Sequence, residues 1–494
     1  MKKLFKYIFM LLAVVLIPSC GEDYLDVNTD PNNPTTVTPD LALPVAQNLT
    51  ATYLLLNNRV NTLGNLLMYN WSQSDGYAWY PDEFKYLVTT SFYSTNFNTA
   101  YQNPLKQYHT FDKPDDPTFD YYTAIAMIMK SFHFQILVDM YGDIPYTEAL
   151  QRSLNSAPKY DDAQVVYQDL ITKLSAAIEL IKNASELALV PEDDDIIFGG
   201  DMDSWIKFAN TIKMRILVRQ SDMADKQAYI TEQINAIIAE GSGFIEDNVG
   251  VNPGYVKEVN KQNPLWDSYG QDAAGTDVMN GKATSASDFI IDYLTNTNDP
   301  RISRIYEEPA DGHKGVPQGL LDYDTPVVDA FIPDKVSNIG TGILVGPDQD
   351  AIIFTLAESY LNLAEAAVKG YITDDAKTLY DAGIAASFVT LGLTEEDAAT
   401  YSAQAIVNVG WNVSTNKQEA IITQKWIAVN GLDAIQSWFD YNRTGYPANL
   451  PISRLASTPD RPVRLLYPAS EIASNPDNVP AQMNAFNDKI FWAQ

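Results

Sequence analysis

The sequence predicts a mainly α-helical protein, built as a scaffold of paired helices that carries one loop-rich segment. Two long stretches have apolar residues at helical spacing, and a short pattern that opens a helix occurs twice. Residues 241–350 are rich in Gly, Pro, Asn and Asp and lack sustained periodicity. We therefore expect a helical scaffold over residues 41–240 and 350–445, with the loop-rich insertion joining its two parts, all within a single domain that spans 41–494.

The first nineteen residues have the pattern of an export signal. A basic start precedes an apolar run, and the only cysteine of the chain follows; these parts are Lys2, Lys3, Lys6, the run from Ile8 to Ile17, and Cys20. The run is too short to cross a bilayer as a stable helix. We interpret residues 1–19 as a lipoprotein signal peptide and Cys20 as the lipidated first residue of the mature protein. The alternative is a simple secretory signal in which Cys20 plays no part.

Residues 20–40 are interpreted as a tether that begins with the lipidated cysteine. Residues 26–40 are rich in Asn, Pro, Thr and Asp, which favours turns over packed structure. The acidic pair Glu22-Asp23 resembles the surface-export signal of lipoproteins in Bacteroidetes-type bacteria. The expected location is the outer membrane, with the protein exposed at the cell surface and held only by its lipid.

The first strong helix is predicted over Ala124–Val138. It is apolar nearly all round, which indicates a core helix, and its length is too small for a membrane span. Gly142 and Pro145 supply its stop. His133 lies in the middle of this apolar stretch, so we expect a buried core histidine and not a catalytic base.

The second strong helix is predicted over Asp350–Lys369. Apolar and polar side chains repeat at steps of three and four on opposite faces: Ile353, Ala357, Tyr360, Ala364 and Ala367 on one, and Glu358, Asn362, Glu365 and Lys369 on the other. This pattern predicts an amphipathic surface helix with an ion pair between Glu365 and Lys369. From Glu419 onward the pattern returns to helix, and a further short helix is predicted to end before Gly445.

A faint internal repeat supports the pairing of helices. Residues 161–171 and 374–384 both read DDA-x3-Y-x3-I, with acidic residues that open a helix. Each copy follows another predicted helix. The alanine of the pattern, Ala163 or Ala376, is small enough to let two helices approach closely. The pattern resembles the second helix of a tetratricopeptide-type hairpin.

Composition excludes several classes of function. The formal net charge is −30, and it becomes −33 when residues 1–19 are removed with their three lysines, leaving 30 basic against 63 acidic residues. Such a field repels phosphate backbones, so we expect no nucleic-acid partner. One cysteine cannot form a thiolate metal cluster, and no metal or cofactor is expected.

Known catalytic motifs are absent from the sequence. Neither H-E-x-x-H nor G-x-S-x-G occurs. The stretch Gly275–Ala283 is the nearest approach to a phosphate-binding loop, but its glycines have the wrong spacing and Ala283 stands where Ser or Thr is required. We reject it as a phosphate site and expect a protein that is not an enzyme.

Aromatic residues are concentrated in one segment. Eleven of the 33 residues from Tyr69 to Tyr101 are aromatic, three times the chain average of 11%. Rings on a loop can stack on the C–H face of a sugar, while carboxylates bind its hydroxyls. The candidate ligand-binding residues are those beside the Asp75-Gly76 turn and those in a second segment, 263–269: Trp71, Asp75, Tyr77, Trp79, Tyr80, Trp266 and Tyr269. The alternative for each of these rings is a place in the core.

Six segments together resemble the SusD/RagB family of outer-membrane nutrient-binding lipoproteins, in its SusD-like branch. They are DYLDVNTDPNNPTTVTPDLALP (23–44), FQILVDMYGDIPYTEAL (134–150), NDPRIS (298–303), FTLAESYLNLAEAAVKG (354–370), QKWIAVNGLDAIQSWFDYNRTGYP (424–447) and VRLLYPASE (463–471). They occur in the family's order from residue 20 to about 480, and little beyond the helical pattern matches over 151–297.

The resemblance implies a fold with four tetratricopeptide-type hairpins and a looser subdomain that holds the ligand. It also implies a complex with a SusC-like TonB-dependent transporter, to which the protein hands a glycan or, as in the RagB type, a peptide. Two other hypotheses are an exported helical glycoside hydrolase, because sequence alone does not exclude a catalytic carboxylate pair, and a structural lipoprotein without a small ligand.

Overall fold

Four pairs of helices that are consecutive in the chain pack against each other and form the scaffold. This computed structural model describes residues 38–151, 154–321 and 328–493. The pairs are Asp120–Tyr141 (α6) with Ala163–Lys182 (α7), Met202–Arg219 (α8) with Gln227–Glu240 (α9), Leu356–Val368 (α14) with Ala376–Thr390 (α15), and Lys417–Ala428 (α17) with Ile435–Thr444 (α18). Neighbouring pairs touch through α7 and α8, then α8 and α14, then α14 and α17. The predicted mainly helical, tetratricopeptide-like fold is confirmed.

The elements before residue 241 are mostly helical. Their bounds are α1 Pro39–Leu55, α2 Val60–Leu67, β1 Trp71–Gln73, α3 Pro81–Lys85, α4 Ser94–Ala100, α5 Lys106–Thr110, α6 Asp120–Tyr141, β2 Ile144–Pro145, β3 Tyr160–Asp161, α7 Ala163–Lys182, α8 Met202–Arg219 and α9 Gln227–Glu240. A π-helical turn, Tyr101–Leu105, joins α4 to α5.

The helices and strands between residue 241 and the next scaffold helix, which begins at Leu356, are short. The bounds of the elements after residue 241 are β4 Val249–Val251, α10 Pro264–Tyr269, α11 Met279–Ala283, β5 Thr284–Ala286, α12 Asp288–Asn296, α13 Ile302–Ile305, β6 Ala351–Phe354, α14 Leu356–Val368, α15 Ala376–Thr390, α16 Glu395–Ser402, α17 Lys417–Ala428, α18 Ile435–Thr444 and α19 Ala469–Ser474.

Helix α6 forms the centre of the first pair. It is longer at both ends than the predicted Ala124–Val138, and it ends at Gly142, whose φ of 81° stops the helix. The predicted core position of His133 is confirmed, because the side chain has no exposed surface. Burial lowers the pKa of His133 to about 3, so this histidine is neutral in the folded protein.

Both copies of the internal repeat open the second helix of a pair. The Asp162 side chain accepts hydrogen bonds from the backbone N–H groups of Gln164 and Val165 at the start of α7, and Asp375 caps α15 through the N–H of Thr378. These bonds satisfy backbone donors that the first helical turn leaves unpaired. In α15, a Cβ at Gly383 would lie 2.6 Å from Leu361 Cγ, so the glycine permits the close approach of α14.

The predicted helix Asp350–Lys369 was wrong at its start. Residues 351–354 form strand β6, which pairs antiparallel with β4, and helix α14 begins after Thr355, whose side chain caps it. A four-residue apolar run just before a helix can form either a first helical turn or a strand, and here the pairing with β4 makes it a strand.

The prediction that the polar face of this helix is exposed to solvent was also wrong. Glu358, Asn362 and Glu365 are at most 2% exposed, because α8, α15 and α17 all pack on α14. Glu365 does not pair with Lys369. Its carboxylate accepts hydrogen bonds of 2.6 and 2.8 Å from the Arg443 guanidinium, and Lys369 pairs with Asp222.

One short antiparallel pairing ties the loop-rich region to the preceding part of the chain, and a second joins a strand near its start to the strand that precedes α14. Strand β1 pairs with β5 in the register Trp71↔Ala286, Ser72↔Ser285 and Gln73↔Thr284, and β4 pairs with β6. The first pairing brings the aromatic segment after residue 69 onto the loop-rich region.

The described residues from Pro39 onward form one compact unit. No helix among them is long and apolar enough to cross a membrane. The interpreted signal peptide, Cys20 and the tether up to residue 37 lie outside the described residues, while α1 already begins at Pro39.

Candidate functional site

The two candidate ligand-binding segments, which are far apart in the sequence, meet in the structure. Pairing of β1 with β5 places residues 71–80 beside α10 and α11, and the ring of Trp71 packs edge-on against Tyr269 at a centroid distance of 5.1 Å. The site is therefore assembled from at least two separate parts of the chain.

Four of the seven candidate residues are buried. Trp71 is 1% exposed and packs in the core, so the expectation that its ring faces a ligand was wrong. The carboxylate of Asp75 accepts hydrogen bonds from the backbone N–H groups of Gly76 and Val328, which holds a turn together and leaves it 7% exposed. These two residues position the segment and do not offer a surface to a ligand.

Tyr80 and Tyr269 border clefts but direct their hydroxyl groups into the protein. The Tyr80 hydroxyl lies 2.7 Å from Thr284 Oγ1, and the Tyr269 hydroxyl lies 2.8 Å from Thr62 Oγ1. Both are 3% exposed, and burial raises the pKa of each phenol. They serve as fixed, neutral walls of the site.

Tyr77 and Trp79 are the half-exposed rings of the loop that follows β1. They pack edge-on with a centroid distance of 5.9 Å. The Trp79 backbone N–H donates to Gln73 Oε1 at 3.0 Å, and its indole N–H donates to Asn280 Oδ1 at 3.3 Å. The indole is thus held at the mouth of a cleft of about 440 Å³, the Trp79 cleft, which it shares with Asn58, Asp82, Glu83, Tyr93 and Thr95.

Trp266 is the half-exposed ring of a second cleft, of about 350 Å³. This Trp266 cleft is lined by its indole and by polar side chains, chiefly Asp277, Lys282, Glu307, Asp334 and Asn338. Asn263 caps α10 by accepting hydrogen bonds from the N–H groups of Leu265 and Trp266, which fixes the turn that carries the indole. Three carboxylates, two amides (Asn338 and Gln271) and an ammonium group therefore line the same cleft as the indole.

Gly270 determines where the indole of Trp266 lies. A Cβ at this glycine would stand 2.7 Å from Trp266 Cδ2 and 2.9 Å from two further ring atoms. Real carbon atoms do not approach so closely, so the backbone of residue 270 supports the ring only because no side chain is there.

Helix α11 lines the Trp266 cleft and contacts the indole of Trp79. Asn280 accepts the indole N–H of Trp79 and donates at 3.1 Å to the carbonyl of Ser268, while Lys282 lines the Trp266 cleft. Gly281 allows α11 to pack on α10, because a Cβ there would lie 2.0 Å from the carbonyl oxygen of Tyr269. The stretch 275–283, which we rejected as a phosphate loop, thus forms a wall of the site.

A further wall comes from Glu307 and from residues 333–344. Isolated β-bridges join Ser285 to Asn338 and Tyr306 to Ile339 and hold this wall in place. Partial enclosure raises the pKa of Glu307, and nearby Asp277 raises it further, whereas a hydrogen bond from Gln271 lowers the pKa of Asp277. These polar residues were not predicted from the sequence, because they lie in separate loop segments without a recognisable motif and come together only in the folded protein.

The backbone of the aromatic segment is strained at four tyrosines. Tyr69, Tyr80, Tyr86 and Tyr93 have φ values of 58°, 56°, 52° and 48°, in the left-handed region that favours glycine. Each such residue costs on the order of 1–3 kcal/mol and persists only where surrounding packing holds it. Such strain clusters at functional sites, which supports a ligand-binding role for this segment.

The arrangement suits recognition of a sugar. A flat indole matches the C–H face of a pyranose ring, and carboxylate and amide groups match its hydroxyls. Among the described residues, no group of three or more His, Cys, Asp or Glu side chains is placed to hold a metal ion.

Comparison with known proteins identifies the family. A family model of SusD-like proteins, described as starch-binding and associating with the outer membrane, matches residues 31–468. Among curated protein sequences, none matches the chain. The resemblance stated from the sequence motifs is confirmed.

Solved structures of similar proteins show the same fold. A chitin-binding protein is 23% identical with a TM-score of 0.74, covering 92% of this chain and 100% of that one. A chitin-binding SusD homologue from Flavobacterium johnsoniae is 21% identical with a TM-score of 0.74, covering 92% of this chain and 98% of that one. A SusD homologue from Bacteroides uniformis is 24% identical with a TM-score of 0.67, covering 92% and 99%.

These findings agree with the expectation that the protein is not an enzyme, and the hydrolase hypothesis is set aside. Because the family model spans most of the chain, the protein belongs to the SusD-like family of outer-membrane-associated nutrient-binding proteins, which bind their ligands and do not act on them as enzymes.

Proposed function

We propose that this protein is a surface lipoprotein that captures an oligosaccharide or polysaccharide in the Trp266 and Trp79 clefts. The observation that carries the proposal is the composition of the Trp266 cleft, which a half-buried indole lines together with carboxylate and amide side chains. The family's description as starch-binding and the chitin-binding activity of two structural neighbours support a glycan over a peptide.

Affinity electrophoresis of the soluble mature chain, in gels cast with starch, chitin derivatives and other polysaccharides, tests this proposal. We expect one polysaccharide to retard the protein, and Trp266→Ala and Trp79→Ala to reduce the retardation. Trp71 is unsuitable for this purpose, because its substitution would open a cavity in the core.

Trp411→Ala is the matched control, because Trp411 is also half-buried but lines a separate hollow on the scaffold. Retardation that survives Trp266→Ala and Trp79→Ala would show that the ligand binds elsewhere. Migration unaffected by every polysaccharide, together with binding of a peptide mixture, would replace the glycan with the peptide alternative.

The ligand is proposed to pass to a SusC-like TonB-dependent transporter. This step rests on the family and on the interpreted lipid anchor at Cys20, which would hold the protein beside an outer-membrane channel. Affinity purification of the tagged full-length chain from its native membranes, in mild detergent, should recover the transporter in stoichiometric amount. Recovery of the lipoprotein alone would contradict the partnership.

A further inference from the structure

A third cleft, which is also bordered by helix α4, has the features of a binding site, but its residues were not among those predicted from the sequence. It has a volume of about 460 Å³ and is lined by Phe97, Asn98, Tyr101, Leu150, Glu471 and Ser474, among others. We call it the Tyr101 cleft. Its walls come from α4, the π-helical turn, the loop after β2, and α19.

Two departures from regular backbone geometry converge on the Tyr101 cleft. Tyr101 itself opens the π-helical turn Tyr101–Leu105, which contains Pro104 and therefore lacks one backbone donor. Leu150, on the facing loop, has a φ of 65°, which is unfavourable for a side chain of this size. Single π-helical turns and left-handed residues both cluster at functional sites, and here they line the same cleft.

The side chains of the Tyr101 cleft offer the chemistry of a sugar subsite. The Tyr101 hydroxyl donates to the Pro145 carbonyl oxygen at 2.6 Å, which fixes the plane of a partly buried ring. Polar groups stand beside it: Ser470 Oγ lies 3.2 Å from Asn98 Oδ1, and Glu471 accepts the Tyr160 hydroxyl at 3.1 Å. A fixed ring with nearby amide, hydroxyl and carboxylate groups binds one face and the hydroxyls of a pyranose.

Helix α4 connects this cleft to the Trp79 cleft. Thr95 lines the Trp79 cleft and Asn98 lines the Tyr101 cleft. The two residues are three positions apart in α4, so their side chains are neighbours on one face of the helix. Helix α11 lines the Trp266 cleft through Lys282, and its Asn280 accepts the indole N–H of Trp79, so this helix connects the Trp266 cleft to a ring of the Trp79 cleft.

We propose that the Tyr101 cleft is an additional glycan subsite that binds the same saccharide chain beyond the Trp79 cleft, so that the protein selects extended chains over short ones. The inference rests on the proposed glycan-binding function. Each occupied subsite adds to the affinity of a long ligand because the second contact is intramolecular. A disaccharide fills at most one cleft and gains nothing from the others.

The test compares a disaccharide with an octasaccharide of the same series, by titration calorimetry on the soluble mature chain, with chito- and malto-oligosaccharides as probes. We expect the octasaccharide to bind at least about tenfold more tightly. Ser474→Trp fills the Tyr101 cleft from an exposed position, and it should remove most of this gain while disaccharide affinity stays at the wild-type value.

Ser402→Trp is the matched control, because Ser402 is also the last residue of a short helix and also lines a hollow, the one beside Trp411. Tyr101→Ala is the second variant, with thermal unfolding to check its fold, and it should act like Ser474→Trp. An octasaccharide that binds Ser474→Trp as tightly as wild type overturns the subsite but leaves the proposed function intact. Absence of binding by either oligosaccharide series and by the polysaccharides overturns both.

Discussion

His133 is a neutral histidine of helix α6, and its side chain has no surface exposed to water. Its Nε2 lies 2.9 Å from Thr50 Oγ1, and burial lowers its pKa to about 3, from an ordinary value of about 6.5. The unfolded chain therefore binds a proton below about pH 6.5 that the folded chain excludes. The contribution of His133 to the free energy of unfolding is fully present above about pH 6.5 and is lost as the pH falls toward 3.

We expect the free energy of unfolding to decrease by about 1.4 kcal/mol per pH unit from His133 alone, between about pH 6 and about pH 4. Urea unfolding of the wild type and of His133→Gln across this range measures the effect, with the other two histidines present in both proteins. In the variant, the free energy of unfolding should decrease less steeply with falling pH, because this histidine is absent. Equal slopes in the two proteins would mean that His133 titrates normally in the folded state.

Gly270 places the indole of the Trp266 cleft, and its substitution tests that role. Gly270→Ala puts a methyl group within 2.7 Å of the ring, so the indole must move. We expect polysaccharide affinity to fall about tenfold, which corresponds to about 1.4 kcal/mol, with a change in tryptophan fluorescence. The double variant Gly270→Ala/Trp266→Ala should bind no more weakly than Trp266→Ala, because both changes remove the same contact. An additive loss would assign Gly270 a separate role.

The segment NDPRIS, one of the motifs that carry the family resemblance, joins the loop-rich region to the scaffold. Arg301 has no exposed surface and pairs with Asp299 at 2.6 Å. Its guanidinium donates to Ser387 of α15 at 3.0 Å and to Gln424 of α17 at 2.7 Å. It also lies over the rings of Phe388 and Tyr401, at 5.0 and 5.2 Å. One side chain thus links the start of α13 to the scaffold helices α15 and α17 and to α16.

Arg301→Lys should lower the free energy of unfolding by about 3–5 kcal/mol, because an ammonium group cannot replace the planar fork and leaves Asp299 incompletely paired. Lys261→Ala is the control at an exposed ion pair, where the Lys261 and Glu258 side chains are 62% and 60% exposed; it should cost under about 1 kcal/mol. Chemical denaturation measures both. Similar costs for the two variants would refute the linking role of Arg301.

Charged side chains buried between the four helix pairs tie the whole scaffold together. They come from α6, α8, α14, α17, α18 and the turn before α18: Asp139, Arg215, Arg219, Glu358, Glu365, Lys425, Asp433, Asp440 and Arg443. Neighbouring cations lower the pKa of Asp440 to about 2 against the opposing effect of burial, whereas burial and Glu358 raise the pKa of Asp433. Removing one member leaves its partner charged in a dry interior, which is why such clusters resist substitution.

At the scale of the cell, the interpreted lipid anchor makes a separate prediction. Cys20→Ala in the full-length chain should move the protein from the detergent phase to the aqueous phase on detergent phase separation, because the variant lacks the thiol that would carry the lipid. Immunoblotting of the two phases measures the shift. A variant that stays in the detergent phase would contradict the anchor.

The scaffold could be predicted because its signals are local. The acidic pairs that open α7 and α15 act as N-caps within three residues of themselves, and the apolar run of α6 reads as a core helix from its own composition. The exposed face of α14 could not be predicted, because Glu358 and Glu365 are covered by helices from distant parts of the chain. A helical pattern shows which residues share a face but not what covers that face.

The sequence by itself determined the helical class, the paired-helix repeat, the family and the two aromatic segments of the site, since caps, periodicity and local composition act over a few residues. Only the tertiary structure decided which aromatic rings are buried and which line a cleft. Trp71 and Trp79 are eight residues apart in the chain, yet pairing of β1 with β5 buries the first against Tyr269 and leaves the second at a cleft mouth. Exposure depends on contacts between distant segments, and no local pattern encodes those contacts.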